Sequence, residues 1–467
     1  MSATRTERDP LGELPVPADA LWGIQTERAR QNFPISQLRP LAPFVDAVIR
    51  IKKAAALTHQ ETGRLDARLA EAIVRAADEV LAGDHRQQFV VDPYQAGAGT
   101  SHHMNCNEVL ANRANELLGG RRGDYTPVHP NDHVNMAQST NDVIPTAIRL
   151  AVLAQTPALL EALALLARAL LSKGGAFDDI VKSGRTHLQD ATPIRLGQEF
   201  AAYGHTVERN RARLERAADD LRDLGIGGTA VGTGLNAEPE YPALMLKHLR
   251  AMTRLELRAG DRLQLMQSMG DAAAFSGALR TYAADLGKIA SDLRLLASGP
   301  RTGFAEIVLP AVQPGSSIMP GKVNPSIAEM VNQVCFQAIG NDVTITAAAE
   351  AGQLELNVMM PVIAHNLLFT MQILTNATRV LAERAVEGIA ADAAQCAYWL
   401  ERSPALVTAL APTIGYAEAA KLAKEAVAKN VTVRQLVIEK GLLKGKELDE
   451  ILNLRAMTEL GVPGKRK

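Results

Sequence analysis

The sequence predicts an all-α fold built on a long central helical bundle, and three observations carry that prediction. Alanine and leucine are abundant while aromatic residues make up 4% of the chain, a balance that favours helices over strand-rich cores. Proline, which costs about 3 kcal/mol inside a helix, is absent between Pro193 and Pro239, between Pro242 and Pro300, and between Pro325 and Pro361. In the second window Phe275, Leu279, Tyr282, Leu286, Ile289, Leu293 and Leu296 alternate at spacings of four and three. That is a heptad-like seam, which sets all of them on one helix face ready to pack on a neighbour.

The elements follow in order. Residues 1–138 mix helical runs, such as Leu69 to Leu81, with turn-rich stretches. The bundle starts near Asn141 and ends near Ala390, and Gly415 to Leu460 carries short helical patterns separated by Asn430, Gly441 and Gly445. Ala158 to Leu171 is the most apolar segment; Glu161 and Arg168 interrupt it, and it is too short to span a bilayer, so it reads as a buried helix. Lys465, Arg466 and Lys467 read as a solvated tail.

A chain of 467 residues exceeds one compact core and predicts two or three folding units. The net charge of −1 gives no basic field for nucleic acid or an anionic membrane. Cys106, Cys335 and Cys396 are widely spaced and odd in number, forming neither a CxxC pair nor a disulfide framework, which suits a reducing cytoplasm. The charged start, with Arg5, Glu7, Arg8 and Asp9, lacks the apolar stretch of a secretory signal. A cytoplasmic protein is expected, without membrane or nucleic-acid partners.

The most unusual segment is Pro314-Gly-Ser-Ser-Ile-Met-Pro-Gly-Lys-Val-Asn-Pro325, a loop ahead of a long helix. It is not a phosphate-binding P-loop. Five residues separate Gly315 from Gly321 where four are required, and Val323 stands where Ser or Thr would bind magnesium. Gly225-Ile-Gly-Gly-Thr-Ala230 fits the dinucleotide pattern GxGxxA, yet it follows the charged helical run Glu208 to Leu224 and leads into more glycines, so a turn between helices is the better account. In the serine loop, Ser316, Ser317, Lys322 and Asn324 supply hydroxyls, a positive charge and an amide on a segment able to close as a lid. Such a set suits an anionic substrate whose carboxylate gains charge during reaction.

Three other polar clusters accompany it. Gly97 to Asn105, with Thr100 and Ser101, leads into the helical pattern Glu108 to Leu118, and Gln138-Ser139-Thr140-Asn141-Asp142 precedes the run from Ile144. Both can offer backbone N–H groups at a helix start, a natural carboxylate site. Gly184-Arg-Thr186-His187-Leu-Gln-Asp190 adds an imidazole able to carry a proton. Taken singly, each is more often a helix cap or a satisfied polar group. His102-His103 has no HExxH or CxxC companion, and adjacent side chains diverge on a helix. No metal and no cofactor are expected.

Together these clusters resemble the fumarase/aspartase superfamily. The loop Gly315 to Pro325 looks like its hallmark serine loop. Thr100-Ser101, Ser139-Thr140-Asn141 and Thr186-His187-Leu-Gln-Asp190 look like its other active-site segments in the same order, and Gly228 to Asn236 and His129 to Asp132 match further patterns. The resemblance runs from about Asp9 to Lys465. It implies three mainly helical domains, placed at 1–138, 139–392 and 393–467, and a homotetramer whose active sites each draw on three subunits. It implies Ser316 as general base, and Lys322 and Asn324 as stabilisers of an aci-carboxylate. Thr100, Ser139, Thr140, Asn141, Thr186 and Ser317 would hold a small dicarboxylate or amino-acid substrate. His187 would contact the second carboxylate or assist departure of the leaving group.

Within the superfamily, Val331 to Asp342, Ala349 to Val358, Asp92 and the Ser139-Thr140 pair resemble the lyases that release ammonia from aspartate. The segment Thr186 to Pro193 is compatible with these and with class II fumarases, and a lens-crystallin-type structural role is the remote reading. Met360 stands where the ammonia-lyases commonly have Glu and fumarases Lys, and His103 where both commonly have Asn. Those two departures are expected to bear on which group leaves.

Overall fold

The computed structural model describes residues 3–464, so the tail Lys465–Lys467 lies outside the described residues. A hairpin of β1 (Thr4–Asp9) and β2 (Gly12–Pro17) opens the chain, followed by α1 (Ile24–Asn32), α2 (Ala42–Glu61), α3 (Ala67–Ala82), α4 (Thr100–Leu117) and α5 (Thr140–Ala176). The hairpin β3 (Val181–Thr186) and β4 (Gln189–Arg195) leads to α6 (Leu196–Asp219), α7 (Tyr241–Thr253), α8 (Arg262–Gln267) and α9 (Gly270–Leu296). The serine loop separates α9 from α10 (Ser326–Glu350), and α11 (Met360–Arg384) follows. Shorter helices α12 (Ala393–Arg402), α13 (Ala411–Ile414), α14 (Tyr416–Lys429), α15 (Val433–Glu439) and α16 (Gly445–Ile451) end the order. Sheet is confined to two-stranded pairings among the described residues, so the all-α class holds.

Local chemistry explains the boundaries. Asp66 caps α3 by accepting from the N–H groups of Arg68 and Leu69, and Gly83, at φ +111°, ends it in the left-handed conformation. The predicted run Leu69 to Leu81 lies inside this helix. Thr432 and Gln435 form a reciprocal capping box on α15. The predicted seam falls on α9, and every member from Phe275 to Leu296 is buried. Removal of those side chains from water is the main force holding this helix in place.

By backbone proximity the chain divides into two units, and the long helices α5, α6, α9, α10 and α11 each contribute residues to both. The first runs from the N-terminus through Leu160 and adds Ala212–Ala283 and Phe336–Thr375. In it, the guanidinium of buried Arg149 on α5 donates to Asp271 at 2.7 Å and to the carbonyls of Pro145 and Leu265 at 3.2 Å each. Breaking a buried ion pair strands a charge, so Arg149→Met should cost about 3–5 kcal/mol, measurable by urea unfolding. A loss below ~1 kcal/mol would mean that Asp271 recovers solvent.

The sequence reading of Ala158 to Leu171 needs a correction. This stretch belongs to a 37-residue helix, α5, that continues through Pro145 and Pro157. The helix is long and apolar enough to cross a membrane, but 56% of its apolar window is buried inside the protein. With Arg149 also buried on it, α5 is a core helix. The expectation of burial was right and the length was underestimated.

The second unit comprises Glu161–Arg211, Ala284–Cys335 and the chain from Asn376 onward. Its short C-terminal helices close over a core that includes Leu400, Leu410, Leu422, Leu436 and Leu448. Lys182 on β3 is buried between Glu199 at 2.9 Å and Glu306 at 3.1 Å, and Arg185 adds a contact to Glu306 at 2.9 Å. These bonds anchor the base of the β3–β4 hairpin, whose tip carries Thr186 and His187.

Candidate active site

The predicted site residues fall into three groups. The first is built on the starts of α4 and α5. α4 begins at Thr100, earlier than the sequence pattern suggested, after Gly99 at φ +93°. A Cβ on Gly99 would sit 3.2 Å from the Ile144 side chain, and the positive φ there favours glycine at this close approach to α5. Ser101, His102 and His103 are therefore helical and buried. The two histidines diverge: His102 stacks on Phe44 with ring centres 4.8 Å apart, and His103 Nδ1 lies 2.8 Å from Thr140 Oγ1. Thr100 lies one turn before His103, on the same helix face.

At the start of α5, Ser139 Oγ accepts from Asn141 N–H at 3.2 Å. Asp142 accepts from the N–H groups of Ser139, Gly227 and Thr229 at 3.0–3.1 Å. Burial raises its carboxyl to about 6, against the pull of those three N–H groups and of Lys52. Asn141 Nδ2 donates to the Ala230 carbonyl at 2.8 Å, which leaves Oδ1 as that amide's acceptor. The GxGxxA segment is thus a turn between α6 and α7, with Gly227 and Gly232 at φ +88° and +98°, and it braces Asn141 and Asp142.

The second group sits on the β3–β4 hairpin. His187 and Leu188 have φ of +57° and +58°, and Thr186 pairs with Gln189 across them. This is the two-residue turn geometry that normally selects Asn-Gly, and holding non-glycine residues there costs energy that functional sites often store. His187 and Thr186 are exposed at the tip.

The third group is the serine loop, closed at its neck by one backbone bond and one side-chain bond. Gly315 N–H donates to the Lys322 carbonyl at 2.9 Å, and Asn324 Nδ2 donates to the Gly315 carbonyl at 2.5 Å. A Cβ on Gly315 would fall 2.4 Å from the Lys322 oxygen, so glycine is obligatory there. Inside the loop, Ser316 Oγ accepts from Ile318 N–H at 3.2 Å and Met319 N–H at 3.0 Å. Ser317 and Lys322 are exposed, and so are the apolar side chains of Ile318, Met319 and Val323. Two N–H donors on one hydroxyl oxygen stabilise an oxyanion there more than a neutral hydroxyl. No neighbour of Ser316 in sequence is a base, and this pair of donors is the feature that sequence could not show.

The structure bonds Thr140 to His103 and Ser139 to Asp142, while Thr186 pairs with Gln189 in its hairpin and Ser316 and Asn324 bond within the serine loop. It also adds a residue that sequence reading missed. Lys52 on α2 is fully buried and touches His103 Nε2, with Asn135 Oδ1 at 3.0 Å and Gln138 Oε1 at 2.9 Å. Its only sequence signal is a lysine flanked by Ile51 and Ala54 to Ala56 in a stretch that also carries Arg50 and Lys53. Among the described residues no cluster of His, Cys, Asp or Glu could hold a metal ion.

The three groups offer hydroxyls and an amide at helix starts, an imidazole on a strained turn and a serine under two N–H donors, side chains able to bind an anion or move a proton. The chain belongs to the fumarase/aspartase superfamily. A family model described as lyase matches residues 12–340, and one described as the fumarase C C-terminus matches residues 406–459. Aspartate ammonia-lyase from a Bacillus species is 47% identical over 99% of both chains. Class II fumarate hydratase from Halobacterium salinarum is 52% identical over 98% of both. Among solved structures, a fumarate lyase/delta crystallin from Brucella melitensis, crystallised with cobalt, aligns with TM-score 0.94 and 49% identity over 98% of this chain and 100% of that one. A class II fumarase from Schistosoma mansoni aligns with TM-score 0.93 and 38% identity over 98% and 99%.

Proposed function

We propose that this lyase is an aspartate ammonia-lyase that eliminates ammonia from L-aspartate to give fumarate. The observation that carries the choice is the orientation of Asn141. Its Nδ2 is committed to Ala230, so Oδ1 is the amide atom left to accept from a ligand. With the hydroxyl oxygens of Ser139 and Thr100 it gives three acceptors for the three N–H donors of an ammonium group. The full-length aspartate ammonia-lyase relatives support the same reading.

In this reading Ser316 Oγ, held as an oxyanion by the loop N–H groups, takes the proton from the carbon next to one carboxylate. The electron pair moves onto that carboxylate to form the aci-carboxylate. Lys322 and Asn324 stabilise the new charge. The pair then returns to form the double bond as the C–N bond breaks and ammonia leaves. Thr100, Ser139, Thr140, Asn141, Thr186 and Ser317 hold the substrate, and His187 contacts the second carboxylate. The reaction needs no cofactor. We place three groups, one from each of three subunits, in one active site of a cytoplasmic homotetramer. The exposed apolar stripe Phe336, Ile339 and Val343 on α10 supports such assembly, since it repeats at helical spacing and lacks a cover among the described residues.

Purified protein incubated with L-aspartate should raise ultraviolet absorbance as fumarate forms and release ammonia in equal amount. A second reading, class II fumarase, is favoured by the 52% identity of the halobacterial hydratase. Turnover of malate with none of aspartate would replace our proposal with that one. Failure with both would point to a substituted aspartate or a structural role.

A further inference from the structure

The buried Lys52–His103 contact lies behind Thr140, and its hydrogen-bond arithmetic has a direction. An ammonium has three donors and no acceptor. Lys52 Nζ meets Asn135 Oδ1, Gln138 Oε1 and His103 Nε2. The two amides cannot flip to offer nitrogen instead. Asn135 Nδ2 is spent on the Gln138 carbonyl at 3.3 Å, and Gln138 Nε2 on the carbonyls of Val134 and Met136 at 3.0 and 3.2 Å. The third partner, Nε2, must then be a bare acceptor, which places the ring proton on Nδ1. Nδ1–H points at Thr140 Oγ1, 2.8 Å away. A hydroxyl that accepts this bond keeps its own proton to give elsewhere.

We propose that Lys52 and His103 are positioning residues that hold the Thr140 hydroxyl as a hydrogen-bond donor toward a carboxylate oxygen of the substrate; the identity of the ligand rests on the dicarboxylate reading above. The division of labour inside the first group follows. Asn141 Oδ1 faces the ammonium as acceptor, and Thr140 faces a carboxylate as donor. Neither Lys52 nor His103 touches the substrate.

The device has a pH sense. The groups facing Lys52 are His103 and Cys106 from α4, Asp142 from α5, and the neutral amides of Asn135 and Gln138; His102, Lys52 and the Asn135 amide face His103. Burial lowers the Lys52 ammonium to about 7, with Cys106 and Asp142 opposing the drop. Burial, then Lys52 and His102, push His103 well below the ordinary histidine range against the opposing Asn135 side chain, so its ring stays neutral. Below about 7 the ammonium holds the Nδ1–H tautomer. Above it the neutral amine has a lone pair and can accept from Nε2–H, which frees Nδ1 to take the Thr140 proton. Donation to a carboxylate is therefore strongest at low pH and fades as pH rises through the Lys52 titration.

The direct test reads the tautomer. Solid-state ¹⁵N spectra of protein labelled at its 10 histidines, with His103→Asn identifying the signal by difference, should show His103 protonated at Nδ1 and bare at Nε2 at pH 6. A proton on Nε2, or on both nitrogens, overturns the proposal whatever the protein's substrate. The functional arm uses succinate as an inert dicarboxylate probe. Its affinity for the full-length protein should fall as pH rises from 6 to 8.5. Lys52→Met should weaken binding about tenfold at pH 6 and flatten the profile. Should Lys52→Met fail to fold, His103→Asn, which keeps an amide donor beside Thr140, should flatten the profile alone. Wild-type pH dependence in a folded variant overturns the positioning role. No succinate binding by the wild-type protein refutes the dicarboxylate reading and the ligand assigned to Thr140, while the nitrogen spectrum still decides the donor direction.

Discussion

Ser316→Ala should lower kcat on aspartate by about 10²–10⁴-fold, the range for a general base, and leave the fold intact. Its hydroxyl is the one side-chain oxygen in the loop that accepts from two backbone N–H groups, those of Ile318 and Met319. Alanine deletes the proton acceptor and leaves those N–H groups to water, since the loop tip is exposed. The neck bonds of Gly315, Lys322 and Asn324 do not pass through Ser316, so the loop should keep its shape. The check is a pair of measurements, turnover by ultraviolet absorbance and succinate affinity. Lost turnover with unchanged affinity supports the base role. A variant with near-normal kcat would remove Ser316 from it.

Lys322→Met should cost about 2.7–4 kcal/mol of transition-state stabilisation, and the loss should fall mainly on kcat. The aci-carboxylate carries more negative charge than the carboxylate from which it forms, so a cation beside it is worth most after proton abstraction. Lys322 is exposed, and thermal stability should stay within about 0.5 kcal/mol of the parent. A rise in KM with unchanged kcat would make Lys322 an ordinary substrate contact.

Much of the bundle was legible because helical periodicity and proline placement are local signals. The seam from Phe275 to Leu296 and the run Leu69 to Leu81 needed only their own sequence. The β3–β4 hairpin was missed for an equally local reason. Its turn residues are His187 and Leu188, and neither carries the Asn-Gly signal of such a turn. α4 starts earlier than its apolar pattern because its first two turns bury Ser101, His102, His103 and Asn105, polar residues that periodicity scores as surface.

Site residues separated far along the chain were harder still. Lys52, His103 and Thr140 come together only in the folded unit, and neither local pattern nor composition couples them. Of the two departures from the family pattern, Met360 is fully buried and reads as a packing residue at the start of α11. His103 lies 2.8 Å from the Thr140 hydroxyl, which we assign to a carboxylate of the substrate and not to the leaving group. The glycine segment at Gly225–Ala230, a dinucleotide pattern on paper, braces Asn141 and Asp142 by backbone bonds.

The central claim is that a carbon–hydrogen bond and a carbon–nitrogen bond next to two carboxylates are made or broken in one site. The reverse reaction exposes both. Fumarate and an ammonium salt, incubated with the enzyme in deuterated water and followed by ¹H NMR, should give L-aspartate carrying one deuterium on its β-carbon. Accumulation of malate in place of aspartate would contradict the assigned leaving group, and persistence of unchanged fumarate would contradict the elimination itself.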